Sequence, residues 1–124
     1  MATTKLFAPT GYWCLTADGK RELCNGCGAA GKVDLVPDHL LGLDISECCN
    51  IHDYTYATAE ASIAAKDSAD RSFLNNMLRI VADAGGPLKR ARMEEAWLYY
   101  EAVRRFGGVA FWSGKNLDEE EKAA

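Results

Sequence analysis

The placement of glycine and proline limits what this chain can fold into more than any other feature of its sequence. Six of the eleven glycines (Gly11, Gly19, Gly26, Gly28, Gly31 and Gly42) lie within residues 1–43, together with Pro9 and Pro37. Both residue types interrupt regular structure, so this front end reads as loop-rich. From Asp44 the texture changes, and the next breakers are Gly85-Gly86-Pro87 and then Gly107-Gly108. The intervals between them predict three helices, over about 45–62, from after Asp67 to about Ala84, and over about 88–106. Asp44 is the expected N-cap of the first, with Glu47 reaching back from the third helical position. Phe73, Leu74, Met77, Leu78 and Val81 form the apolar face of the second. The third carries Ala96, Trp97, Tyr100, Val103 and Arg104, and its aromatics (Trp97, Tyr99, Tyr100, Phe106) read most simply as core, with an exposed part of them able to help bind lipid. Short links imply antiparallel neighbours, and no strand longer than a few residues is expected.

With 124 residues, 48% of them apolar, the chain suits a single mainly helical domain (1–124) with a real core. Within it, 1–43 is the loop-rich region, 44–108 the helical core and 117–124 a polar, solvated tail. A net charge of −4 argues against nucleic acid as the main partner, because phosphate binding needs a basic face. A lipid surface stays open, since apolar contacts alone can hold a protein there. No apolar run approaches the roughly 18 residues of a spanning helix. The start, MATTKLFAPTGYWC, lacks a charged stretch followed by an apolar one, so no signal peptide is visible. The expectation is a secreted or periplasmic protein if a signal has been removed, and a cytoplasmic one otherwise.

Residues 26–32, GCGAAGK, match two nucleotide-binding patterns. As a P-loop they fail at Val33, which stands where a magnesium-binding hydroxyl is needed. As a dinucleotide fingerprint they fail because no apolar strand precedes them and Pro37 interrupts the helix that should follow. The stronger alternative is zinc. The five cysteines are Cys14, Cys24, Cys27, Cys48 and Cys49, and Cys24, Cys27, one of Cys48 or Cys49, and His52 are ligand types that suit it. Adjacent cysteines on a helix diverge by about 100°, however, so only one of that pair can bind. Zinc also leaves Asp53 unexplained.

A third pattern takes in more residues. Cys48-Cys49-Asn50-Ile51-His52-Asp53-Tyr54-Thr55-Tyr56 resembles the C-C-x-x-H-D-x-C-Y signature of the secreted phospholipase A2 family. Asn25-Gly26-Cys27-Gly28 resembles that family's calcium loop, in the N-G-C-G form of bacterial and group-twelve-like members with a reduced disulfide set. Ala69-Asp70-Arg71-Ser72-Phe73 resembles its second-helix segment C-D-x-x-F. The resemblance covers about residues 24–78. Thr55 and Ala69 stand together where the family usually has two cysteines bonded to each other. Asn76 replaces a further cysteine, the usual partner of Cys48, leaving Cys48 free or paired with Cys14 or Cys24. Val33–Leu43 is longer than its counterpart in the common snake-venom and pancreatic forms.

The resemblance implies a calcium-dependent hydrolase that cuts the sn-2 ester of glycerophospholipids at a membrane or micelle surface. The implied catalytic set is His52 as general base, Asp70 and Tyr56 behind it, and the Gly28 amide at the oxyanion. The implied calcium ligands are Asp53 and the carbonyls of Gly26, Gly28 and Ala30, with a Cys27–Cys49 bridge fastening the loop to the catalytic helix. Because His52 and Asp53 are neighbours on a helix, they point about 100° apart and must face different partners. That suits one group aimed at water and one at a metal. The alternatives are a non-catalytic lipid- or protein-binding module of the same shape, and a small zinc domain. His39, in a loop without a motif, reads as an ordinary surface histidine.

Overall fold

The computed structural model describes residues 4–24, 36–113 and 115. Gly26, Cys27, Gly28, Ala30, the GCGAAGK stretch and the 117–124 tail lie outside the described residues. The elements among those described are α1 (Thr10–Trp13), α2 (Ala17–Leu23), β1 (His39–Leu40), β2 (Leu43–Asp44), α3 (Ser46–Thr58), α4 (Ile63–Ala84), α5 (Lys89–Phe106) and α6 (Gly108–Trp112). The protein is mainly helical, and the long α4 packs against both α3 and α5.

Helix α4 starts several residues before the expected position. Ser62 has extended backbone angles and its hydroxyl accepts from the Ala65 amide at 3.1 Å, an N-cap that satisfies one of the otherwise orphaned amides. The alanines that follow favour helix. The same cap requires a non-helical link before it, so α3 ends at Thr58 instead of running to 62. At the far end Gly85 (φ 58°) donates its N–H to the Val81 carbonyl, and Gly86 (φ 83°) follows it. Two successive positive φ angles, open to glycine without a Cβ penalty, turn the chain sharply into α5.

The start of α3 also differs from expectation. The Asp44 carboxylate accepts from the Ser46 amide at 2.7 Å, but Glu47 does not close a capping box. Its carboxylate instead takes a hydrogen bond from the Tyr12 hydroxyl and lies 3.5 Å from the Lys20 ammonium. A cationic and a phenolic donor outbid the backbone, and α1 and α2 are thereby tied to α3. Gly11 sits against this junction, where a Cβ would collide with the Tyr54 hydroxyl.

The short hairpin pairs His39 with Asp44 and Leu40 with Leu43, closed by Leu41 (φ 47°) and Gly42 (φ 85°). Left-handed angles at both turn positions match the twist of a tight hairpin. Leu41 is strained there, and α5 holds it in place. The Arg92 guanidinium donates to the Leu40 and Leu41 carbonyls at 3.1 and 2.9 Å, and the Tyr99 hydroxyl donates to the His39 carbonyl at 2.9 Å. The hairpin so anchored drives Leu40 into the core beside Ile45, Cys48, Cys49, Phe73, Met77, Val81, Ala96 and Val103.

Helix α5 corrects the aromatic-core expectation at Trp97 and Phe106, while Tyr99 and Tyr100 pack half-buried against the core. Its buried residues are Ala96 and Val103, whereas Trp97 is 52% and Phe106 65% exposed. Trp97 follows Ala96, about 100° round the helix, so burying the small residue against α4 turns the indole outward. Asn76 is fully buried where the resemblance expects a bonded cysteine. Its amide accepts from Phe7 N–H and donates to Phe7 C=O, both at 2.8 Å, pinning the N-terminal segment to α4. Cys48 is a buried free thiol, pushed up to about 12 by burial, and Cys14 and Cys24 are free as well. Cys49 is disulfide-bonded.

Candidate functional site

Helix α3 turns His52 and Tyr56, one turn apart, toward α4, while Asp53 lies about 100° away at its partly buried side. Asp70 meets the first two from α4. His52 Nε2 is 2.8 Å from Asp70 Oδ1, and the Tyr56 hydroxyl donates to the same oxygen at 2.5 Å. The imidazole is packed between rings, with centroids 4.1 Å from Tyr56 and 4.7 Å from Phe73. His52 keeps 7% of its surface and Asp70 none, so the pair is buried and not on an open face.

A third partner completes the shell. Lys66, one turn before Asp70, donates from its ammonium to Asp70 Oδ2 at 2.7 Å and to the Val103 and Arg104 carbonyls at 3.0 and 3.2 Å. Burial alone would raise the Asp70 pKa. Hydrogen bonds from His52, Lys66 and Tyr56 more than reverse that and leave it below the ordinary carboxylate range. An ionised carboxylate only accepts, so Nε2 of His52 is the donor, and in the neutral imidazole Nδ1 is then the nitrogen that holds the lone pair. Burial, and next the Asp70 charge, push the Tyr56 phenol well up, so it remains a neutral donor.

Helix α6 closes over Tyr56 from the other side. Phe111 meets it edge-on at 5.1 Å, and the Lys115 ammonium donates to its carbonyl. Gly107 allows this approach, because a Cβ there would sit 2.7 Å from the Tyr56 hydroxyl and run into the Val103 carbonyl.

Asp53 stands near the end of the first described segment. Burial raises the Cys24 thiol and the Asp53 charge raises it further. Cys24 is the residue from which 25–35 departs. The zinc set does not assemble among the described residues. Nε2 of His52 is committed to Asp70, Cys49 is in a disulfide, and no three His, Cys, Asp or Glu side chains there gather round a metal-sized space. His39 is an exposed residue 3.3 Å from Asp38, away from this cluster.

The structure thus brings together His52, Asp70 and Tyr56 from the expected set, and sets Asp53 on the same helix. Lys66, Gly107 and Lys115 were not anticipated. A lysine one turn before an aspartate on a helix is a readable pair signal, but only once the helix is known to begin at Ile63. Set against protein-family models, curated proteins and solved structures, the chain matches none of them. Among the described residues no helix is long and apolar enough to cross a membrane.

Proposed function

We propose that this chain is a calcium-dependent hydrolase of the phospholipase A2 type, cutting the sn-2 ester of glycerophospholipids. One observation carries the reading: a histidine with Nε2 held by a buried carboxylate, an arrangement that leaves Nδ1 as the lone-pair nitrogen of the neutral ring. Ester hydrolysis requires a base for water and a positive group where oxyanion charge develops. His52 Nδ1 takes the proton of the attacking water. Asp70 holds the ring in the tautomer that makes this possible and stabilises the imidazolium that results, as the aspartate does in serine hydrolase triads. His52 then returns the proton to the departing glyceryl oxygen.

Asp53, with the carbonyls of Gly26, Gly28 and Ala30, would hold the ion, and the Gly28 amide would share the oxyanion. Oxygen donors of this kind suit a hard cation that takes about six to eight of them. Bound calcium supplies a Lewis acid for the ester carbonyl. The fit rests on the carboxylate of Asp53, on the catalytic helix and near Cys24, from which the proposed loop departs. The disulfide at Cys49 supports the same reading, with Cys27 as the proposed partner that fastens the loop to α3. The resemblance to the family's fold, a helix hairpin carrying the site behind a calcium loop, belongs to the proposal as well.

Titration calorimetry on the full chain tests the ion. Calcium should bind to the wild type and bind at least about tenfold more weakly to Asp53→Asn, since the only charged ligand proposed is neutralised. Stoichiometric zinc in the purified protein, with indifference to calcium, would overturn the proposal.

A further inference from the structure

The buried lysine on the first turn of α4 has no part in the chemistry described above, yet it touches the centre of it. An ammonium has three protons to donate. Those of Lys66 have three acceptors: Asp70 Oδ2, the Val103 carbonyl and the Arg104 carbonyl. The two carbonyls belong to the last turn of α5, where the dipole favours a cation, and the Val103 carbonyl also accepts the Gly107 N–H. Lys66 is therefore saturated and 9% exposed.

The bond to Asp70 has a geometric consequence. The torsion that orients an aspartate carboxylate is broad and nearly two-fold, so packing alone holds it loosely. His52 and Tyr56 both use Oδ1, which leaves the rotation about the Cβ–Cγ bond controlled from one side only. Lys66 takes Oδ2 and fixes the carboxylate plane from the other. Its own position is set by α5, so the C-terminal turn of α5 is connected through Lys66 and Asp70 to the imidazole. Apolar side chains of similar size at both Lys66 and Asp70 would fill the same space at no desolvation cost, and replacing a buried ion pair in that way is often neutral or stabilising.

We propose that Lys66 is a positioning residue, which locks the Asp70 carboxylate in the orientation that aims His52 at its substrate. The proposal rests on the reading of His52 as general base, and its test separates the two.

Lys66→Met keeps the stem and loses the ammonium. Lys66→Gln, made beside it, keeps a polar head that is too short to span carboxylate and carbonyls together. Helical content and cooperative thermal unfolding establish which variants fold. Two readouts follow on the full chain: kcat and KM with phosphatidylcholine in mixed micelles, and the low-field proton NMR resonance of the His52–Asp70 hydrogen bond. The expected result is a fall in kcat of about ten- to a hundredfold, the scale of a misplaced catalytic group. KM should be little changed, and the resonance shifted or lost.

A folded variant with kcat within about twofold of wild type overturns the proposal, whatever its resonance does. A fall in kcat with the resonance unmoved also overturns it, because Lys66 then acts by another route. Failure of both variants to fold overturns it in favour of a purely architectural role. If the wild type hydrolyses no phospholipid, the functional reading fails, and the resonance alone decides whether Lys66 positions the pair.

Discussion

Helix α4 buries two polar side chains completely, Asp70 toward its beginning and Asn76 further along, and they are held in opposite ways. Asn76 bonds only to the backbone of Phe7, with both halves of its amide matched. It does what a disulfide does elsewhere, joining a terminal segment to the core, and no charge is involved. Asp70 bonds to three side chains, from α3 and from its own helix, and two of the three are basic. Burying a charge is unfavourable unless it is fully paired, and even a fully paired cluster adds little stability over an apolar core. A protein built for stability alone gains nothing by placing Asp70 there, whereas Asn76 is sufficiently explained by architecture. Substitutions along this one helix should therefore separate activity from stability.

The largest effect is expected next to Asp70. His52→Gln should lower hydrolysis by at least about a thousandfold, with calcium affinity nearly intact, because the general base and the orientation it enforces act on that scale. Initial rates and calorimetry together check it, and activity within about tenfold of wild type would remove His52 as the base. Asp70→Asn should follow, with about a hundredfold loss of kcat and about 3–5 kcal/mol of stability. The stability falls because the Lys66 ammonium is left buried without its charged partner. Urea unfolding of Asp70→Leu combined with Lys66→Met sharpens the point: that pair should recover stability to within about 1–2 kcal/mol of wild type and remain inactive.

Asn76→Ala should show the reverse pattern. Removing a buried amide with two backbone partners costs about 2–3 kcal/mol of stability, measurable in the same unfolding experiment, while kcat changes less than about threefold. A large loss of kcat in this variant would break the contrast. Gly107→Ala is expected to be milder, about 1–2 kcal/mol by steric overpacking, with some loss of kcat as the new methyl group displaces the Tyr56 hydroxyl.

The smallest effect is the pH dependence. The folded pKa of Asp70 lies below its unfolded value of about 3.9, so its ionised form stabilises the fold above that pH. This contribution is lost as pH falls from about 4 through the folded pKa. Wild type and Asp70→Asn should converge in stability across that acid range and differ by a constant amount above it.

The contrast along α4 was only partly legible beforehand. Gly85-Gly86-Pro87 marked the end of the helix, and the spacing of Phe73, Leu74, Met77 and Val81 marked its apolar face. Both are local signals. The start was misplaced because the weight of Ser62 as a cap depends on its backbone angles, which nothing in the neighbouring sequence announces. Lys66 consequently fell outside the expected helix and its pairing with Asp70 went unseen. The partner of Asn76 is a backbone segment distant in the chain, and backbone partners leave no residue signature. On α5 the aromatics suggested a core face; Tyr99 and Tyr100 do pack at its edge, but Ala96 and Val103, smaller and able to approach α4 closely, took its centre and left Trp97 and Phe106 outside. For the site itself, His52, Asp70 and Tyr56 were singled out by resemblance, since hydrogen bonds between helices are not written in the periodicity of either one.

One reaction is central to the proposed function, and a single assay addresses it directly. The purified full chain is incubated with phosphatidylcholine labelled in the sn-2 acyl chain, once with calcium and once with a chelator. The expected result is labelled fatty acid and unlabelled lysophospholipid in calcium, and none above background in chelator. Release that is indifferent to calcium, or no release with calcium calorimetrically bound, would contradict it.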